Sequence, residues 1–267
     1  MSGKREKEKP RQQQVRQRPC ARDSSRFAAF LTSFLVQAGY HYDGFQNIGL
    51  AAMLLPALKD LYPDREQLIA AVRRHLDFFN AHPYLTPYAA AALIRMEEER
   101  ACGVEEAHSD DALRRFKQVI GSILGNLGDR FFWAGLLPLA ALAGLCAFLL
   151  DPMWGVLTLL VLYNLPHLLT RAEGLRIGYR MGAASAPAAA GDFGRGPIRW
   201  VRRLAALAAG VLIPLAAAHP LTAPLPTTLL VMAGAAAVAM LLLKLRTGRV
   251  LTLLAVTALI SLYTLLT

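Results

Sequence analysis

The stretch FFWAGLLPLAALAGLCAFLL, Phe131–Leu150, is twenty residues without a charge. A helix needs about 20 apolar residues to cross the ~30 Å hydrocarbon layer of a bilayer. A buried core helix can imitate one such run. Here others follow. Pro152–Thr170 has no charge, and neither does Leu204–Leu243, which a proline-rich turn at 219–226 divides in two; Val250–Thr267 closes the chain in the same way. No soluble domain has the polar surface to cover five such segments, so about five transmembrane helices are expected after residue 130.

Working outward, the charges lie elsewhere. Residues 1–130 hold 16 of the 19 acidic residues and 19 of the 29 Lys and Arg, so residues 131–267 carry 3 acids and 10 bases. This split excludes an ordinary soluble enzyme. It also excludes reading the net charge of +10 as a nucleic-acid footprint, because the excess sits in one tail and in short links between apolar runs. Those links set orientation. Residues 171–203 carry seven Arg and two acids, and Lys244, Arg246 and Arg249 precede the last run; both links are expected on the cytoplasmic side, and the base-free turns at Asp151-Pro152 and 219–226 outside. The N-terminus is then cytoplasmic. Gly182–Pro197, rich in Ala, Gly and Pro, reads as a flexible loop. Cys20, Cys102 and Cys146 are odd in number and far apart, which points to free thiols.

The first half reads differently. Residues 1–26 contain nine Lys/Arg, three acids and four Gln, a disordered basic tail expected to be dispensable for assembly. Residues 27–130 read as a re-entrant and amphipathic helical region. Phe27–Ala38 imitates a signal peptide, but Tyr40, His41 and Asp43 follow at once; about twelve apolar residues are too few to span, so an interfacial or re-entrant segment is expected. Phe45–Leu61, interrupted by Pro56, is a second. Asp64 with Gln67 forms a helix start, and Leu68, Val72, Leu76 and Phe79 follow at helical spacing to an end near Asn80. Thr86-Pro87 starts another helix, running to Glu97-Glu98-Glu99-Arg100. A third starts at Ser109 and loosens into a turn at Gly125–Asp129.

Chemistry-bearing groups are few. His75, Asp77 and His82 invite a metal, but seven positions separate the two imidazoles, roughly 10.5 Å along a helix, too far for one zinc ion. His75 beside Arg73 and Arg74 is also compatible with phosphorylation, although a solvated helix face is the simpler reading. No phosphate-binding glycine loop is present, and no metal or cofactor is called for. Asn164 and His167 in a Leu/Val run face either a bundle interior or a neighbouring helix. The richest clusters are Gln37–Gln46 and Gly125–Asp129. Amides, carboxylates and aromatic faces suit sugar hydroxyls and sugar rings, and broken helices at membrane depth are where transporters place them.

Phe30–Gln37, Tyr42-Asp43 with Gln46 and Gly49, Pro56 and Leu61-Tyr62-Pro63 resemble the opening of the D subunit (IID component) of mannose/fructose/sorbose-type sugar phosphotransferase permeases. Arg73–Pro83 is similar to its signature helix end. Glu97–Arg100 with Gly103, Gly128-Asp129 with Phe132-Trp133 and Pro138, and Tyr163-Asn164 with Thr170-Arg171 and Gly178-Tyr179 continue the resemblance in order over roughly 27–182. The resemblance implies an all-α, multi-pass subunit of the cytoplasmic (inner) membrane, without catalysis of its own. It pairs with a IIC subunit to conduct a hexose-type sugar, which IIA and IIB phosphoryl carriers phosphorylate on entry. A transport-deficient structural or regulatory subunit is the alternative. Gln37, His41, Asp43 and Gln46, with Asn126 and Asp129, are the expected sugar-contacting residues.

Overall fold

The computed structural model describes residues 20–103, 108–148, 151–192 and 195–218. The described residues form helices: α1 (Asp23–Thr32) with a 3-10 turn at Ser33–Leu35, α2 (Asn47–Leu61), α3 (Arg65–His75), α4 (Thr86–Ala101), α5 (Asp110–Gly128), α6 (Leu137–Phe148), α7 (Pro152–Met181), α8 (Ser185–Asp192) and α9 (Arg195–Ala218). No strand is present among the described residues; two isolated bridges, His41 with Phe45 and Phe45 with Phe79, are the extended contacts.

The starts of α3 and α5 follow from the expected caps, whereas at α4 Thr86 lies inside the helix and its hydroxyl donates to His82 O at 3.2 Å instead of capping an amide. The Asp64 carboxylate accepts the Glu66 and Gln67 amides at 3.0 Å each, and Ser109 Oγ accepts Ala112 N–H. The end of α3 comes earlier than the expected Asn80. Its last carbonyls find tertiary partners: Lys117 Nζ donates to Arg74 O at 2.7 Å and Asn47 Nδ2 to Leu76 O at 2.6 Å. The chain beyond is drawn into the bridge, where Phe79 N donates to Gly44 O and Gln46 N to Phe79 O. Tertiary donors at the C-terminus outcompete another helical turn.

Helix α4 is the axis. Ala89, Ala90, Leu93 and Ile94 are fully buried, as in a helix enclosed on all sides. It packs chiefly on α7 and also touches α1, α2 and α5. Two residues in its last turn carry buried charge. Glu98 accepts Ala21 N–H at 2.8 Å and the Tyr179 hydroxyl at 2.9 Å. Glu97, fully buried, accepts Tyr62 Oη–H at 2.6 Å, His75 Nε2–H at 2.8 Å and Arg74 Nε–H at 2.9 Å. His75 is therefore a core residue and not a solvated face.

Three further expectations change. The basic tail does not run to residue 26: Ala21 is tied to Glu98, Arg22 and Ser25 bond Asp60, and α1 begins at Asp23. Residues 20–26 therefore belong to the folded body, and 1–19 lie outside the described residues. Within the expected flexible loop over 182–197 the described residues 182–192 and 195–197 are helical: a turn at Gly182 leads into α8, whose Ser185, Ala186 and Ala189 are buried, because small side chains let it lie close on α4 and α5. The turn expected at Gly125–Asp129 is absent; α5 continues through a π-helical segment, Asp129–Leu136, into α6.

Two stretches, within Asp110–Phe148 and Pro152–Gly210, are long and apolar enough to cross a membrane by length and composition. Their outer faces expose Phe148, Trp154, Val156, Leu160, Val161, Leu165 and Leu169, large apolar side chains of the kind that mark membrane or protein contact surfaces when they cluster. The runs expected beyond residue 218 lie outside the described residues.

Candidate functional site

Between α1 and α2 the chain makes a tight turn over 36–46. His41 closes it, with Nε2 2.9 Å from Asn47 Oδ1 and Nδ1 accepting Gly44 N–H. Phe45 sits at φ 55°, a left-handed conformation unusual for a bulky side chain, of the kind that costs roughly 1–3 kcal/mol. The surroundings hold it there: its ring packs edge-on against Tyr40 and Phe78, each at 5.1 Å, and its backbone bonds both ways with His41. The next residue, Gln46, clamps the loop after α3, its Nε2 donating to Ala81 O at 2.9 Å and its Oε1 accepting Ala81 N–H at 3.3 Å.

This clamp creates a cavity of about 330 Å³. Gln37, Tyr40 and Gln46 line it from the turn, Asn80 to Pro83 from the loop, and Gly125, Asp129 and Trp133 from α5 and the π-helical segment. Gly128 lets the loop lie directly on α5, since a Cβ there would fall 2.2 Å from His82 Cβ. Asp129 supplies the carboxylate of the lining, at the point where the helix widens into π geometry. Such bulges are frequent at functional positions. Behind the cavity His82 stacks on Phe132 at 5.1 Å, Tyr84 stacks on His167 at 4.4 Å, and Arg171 Nη1 donates to Ser33 O at 2.6 Å. The Tyr84 and Arg171 contacts tie α7 to the loop after α3 and to the 3-10 turn that precedes Gln37.

Of the six residues expected to contact sugar, three line the cavity: Gln37, Gln46 and Asp129. Gln46 spends both ends of its amide on Ala81, so it shapes the wall. His41 lies outside the lining, its ring engaged in the turn; Asp43 and Asn126 are exposed and also outside it. Tyr40, part of the expected Gln37–Gln46 cluster, also lines the cavity, and His82 and Trp133 join it unforeseen. Asn164 and His167 bond each other and their own helix: Asn164 Nδ2 donates to Leu160 O, and His167 Nε2 lies 3.0 Å from Asn164 Oδ1. His75 and His82 serve different environments, and among the described residues no group of three or more His, Cys, Asp or Glu is placed to hold a metal.

Comparison with known proteins agrees with this architecture. The family model of the mannose/fructose/sorbose family IID component of the phosphotransferase system matches residues 22–195. The chain is 33% identical to the mannose-specific EIID component of Escherichia coli K12 over 154 residues, 57% of this chain and 54% of that protein. It is 33% identical to the sorbose-specific EIID component of Klebsiella pneumoniae over 153 residues, 57% of this chain and 55% of that protein, and 30% identical to the fructose permease IID component of Bacillus subtilis over 156 residues, 58% and 56%. The matched stretch thus spans about half the length of these curated relatives. Among solved structures, the mannose transporter ManYZ in complex with microcin E492, determined by cryo-electron microscopy, superposes with a TM-score of 0.58 at 29% identity, covering 72% of this chain and 70% of that one. A second, described as a membrane protein, gives 0.61 at 28% identity, covering 74% and 70%. With an all-helical body, two long apolar stretches and a family model matched over most of its length, the chain belongs to the IID component of the mannose/fructose/sorbose family and is a membrane subunit of a sugar phosphotransferase system.

Proposed function

We propose that this subunit forms, with a IIC partner, the sugar-translocating unit of the inner (cytoplasmic) membrane, with its N-terminus cytoplasmic. It handles a hexose-type sugar that IIA and IIB carriers phosphorylate on entry, and performs no catalysis itself. The observation that carries this reading is the cavity, whose lining combines the Gln37 amide and the Asp129 carboxylate with the aromatic side chains of Tyr40 and Trp133. Hydrogen-bonding groups beside aromatic faces are what a sugar's hydroxyls and its C–H face require. One observation favours the alternative, a transport-deficient structural subunit: His41 and Gln46 commit their polar atoms to the protein.

Expression with a mannose-type IIC subunit and IIA/IIB carriers, in vesicles lacking any other IID component, separates the two. Phosphoenolpyruvate-dependent uptake of labelled mannose, fructose or sorbose that requires this chain is the expected result. Assembly with IIC but no uptake of any of the three contradicts the transport reading.

A further inference from the structure

His82 is 1% exposed and lines the cavity. Its Nδ1 accepts the Tyr84 N–H at 3.3 Å, while its Nε2 has no hydrogen-bond partner. A backbone N–H can only donate, so Nδ1 is the unprotonated nitrogen. Burial, and then the Arg171 charge, push the imidazole down to about 3, so the ring is neutral. A neutral ring with an unprotonated Nδ1 carries its proton on Nε2. The ring cannot turn away: it stacks on Phe132 at 5.1 Å and 17°, lies 4.8 Å from Trp133, and packs so close over Gly128 that a Cβ there would fall 2.2 Å from its own Cβ. A fixed, buried donor with nothing to donate to is costly in a folded protein. An acceptor oxygen from a guest in the cavity removes that cost.

We propose that His82 is a specificity-determining residue of this cavity, its Nε2–H donating to one acceptor oxygen of the bound sugar. The inference rests on the cavity being a sugar site, and it adds which protein group reads a single position of the ring. Gln37 and Asp129 are exposed and can adapt to water or to several hydroxyls, whereas His82 cannot. A site built around a buried donor discriminates against an analogue that leaves it unpaired much more strongly than an apolar wall does.

The test uses the full chain purified with its IIC partner. Mannose, fructose and sorbose are screened by titration calorimetry, and the tightest is compared with its singly deoxygenated analogues. The wild-type complex is expected to lose tenfold or more in affinity at one position. In His82→Phe that position's discrimination should fall below threefold with the other positions unchanged, and His82→Gln, which keeps an N–H donor, should restore part of it. Should His82→Phe not assemble, Gly128→Ala provides the second variant, since it displaces the ring without removing it; the same loss of discrimination is expected. A deoxy-sugar pattern identical in wild type and variant overturns the assignment of His82 while leaving the cavity as a sugar site. Absence of binding by all three sugars overturns the sugar reading itself, and the assignment with it.

Discussion

Replacing Glu97 by Gln is expected to destabilise the folded subunit by about 3 kcal/mol, the lower end of the cost of breaking a buried ion pair. Glu97 has no exposed surface and accepts from Tyr62, Arg74 and His75 at once. A glutamine keeps the shape but brings an NH₂ against donors and leaves Arg74, among the described residues, with Asp110 as its acidic neighbour, 3.5 Å away and half exposed. Burial pushes the Glu97 carboxyl up, but the hydrogen bond from His75, the charge of Arg74 and the Tyr62 hydroxyl outweigh it and hold it down at about 2, against 4.5 ordinarily. His75 contributes as a donor, since burial drives its ring toward the neutral form. A depressed carboxyl stabilises the fold above its unfolded value and loses that contribution as pH falls through its folded value. The wild-type advantage is therefore full at pH 7 and shrinks from about pH 5 downward. Thermal unfolding of the purified complex at pH 7 and pH 4 measures both effects. A loss below about 1 kcal/mol at pH 7, the scale of an exposed ion pair, or a gap that ignores pH, contradicts this account.

Gly49→Val is expected to have a comparable effect by a different route. A Cβ at Gly49 would lie 2.0 Å from Val36 O and 2.6 Å from Val36 C. Both are backbone atoms, so no side-chain rotation relieves the clash. Either α2 moves or the turn over 36–46 opens, and Gln37 and Tyr40 leave the cavity with it. Overpacking typically costs about 1–3 kcal/mol, and more where backbone must move. Gly191→Ala is the control: nothing lies within 4 Å of its Cβ position in α8, and removing a helical glycine should stabilise by roughly 0.5–1 kcal/mol. The expected pattern is a large fall in melting temperature and complex yield for Gly49→Val and none for Gly191→Ala. Equal, small effects would mean that the approach of α2 to Val36 does not hold the turn in place.

The starts of α3 and α5 were legible because capping is local: Asp64 and Ser109 each meet an amide two or three residues on. The end of α3 was not, because its carbonyls are satisfied by Lys117 and Asn47, 43 and 29 residues away. The acidic run Glu97–Glu99 carried an overlooked signal. Carboxylates in the last turn oppose the helix dipole, so three together at a C-terminus call for compensating donors, and two of them have these in the core. The site was half legible. Gln37 and Asp129 stood out as polar groups among apolar runs. His82 looked like a helix-end residue and Trp133 like part of a span; only the packing of the 79–83 loop on α5 brings them together. Asp43 sits among apolar residues in the sequence, whereas the turn presents it outward and away from the cavity lining.

Sugar affinity of the IIC-bound complex, measured for Asp129→Asn beside Asp43→Asn, tests the central claim most directly. Asp129 lines the cavity and Asp43 does not. A charge-assisted hydrogen bond contributes about 1.5–3 kcal/mol, and 1.4 kcal/mol is about tenfold in affinity. The account predicts roughly tenfold or greater weakening for Asp129→Asn and less than twofold change for Asp43→Asn, with both complexes assembling normally. Unchanged affinity in an intact Asp129→Asn complex, or weakening confined to Asp43→Asn, would contradict it.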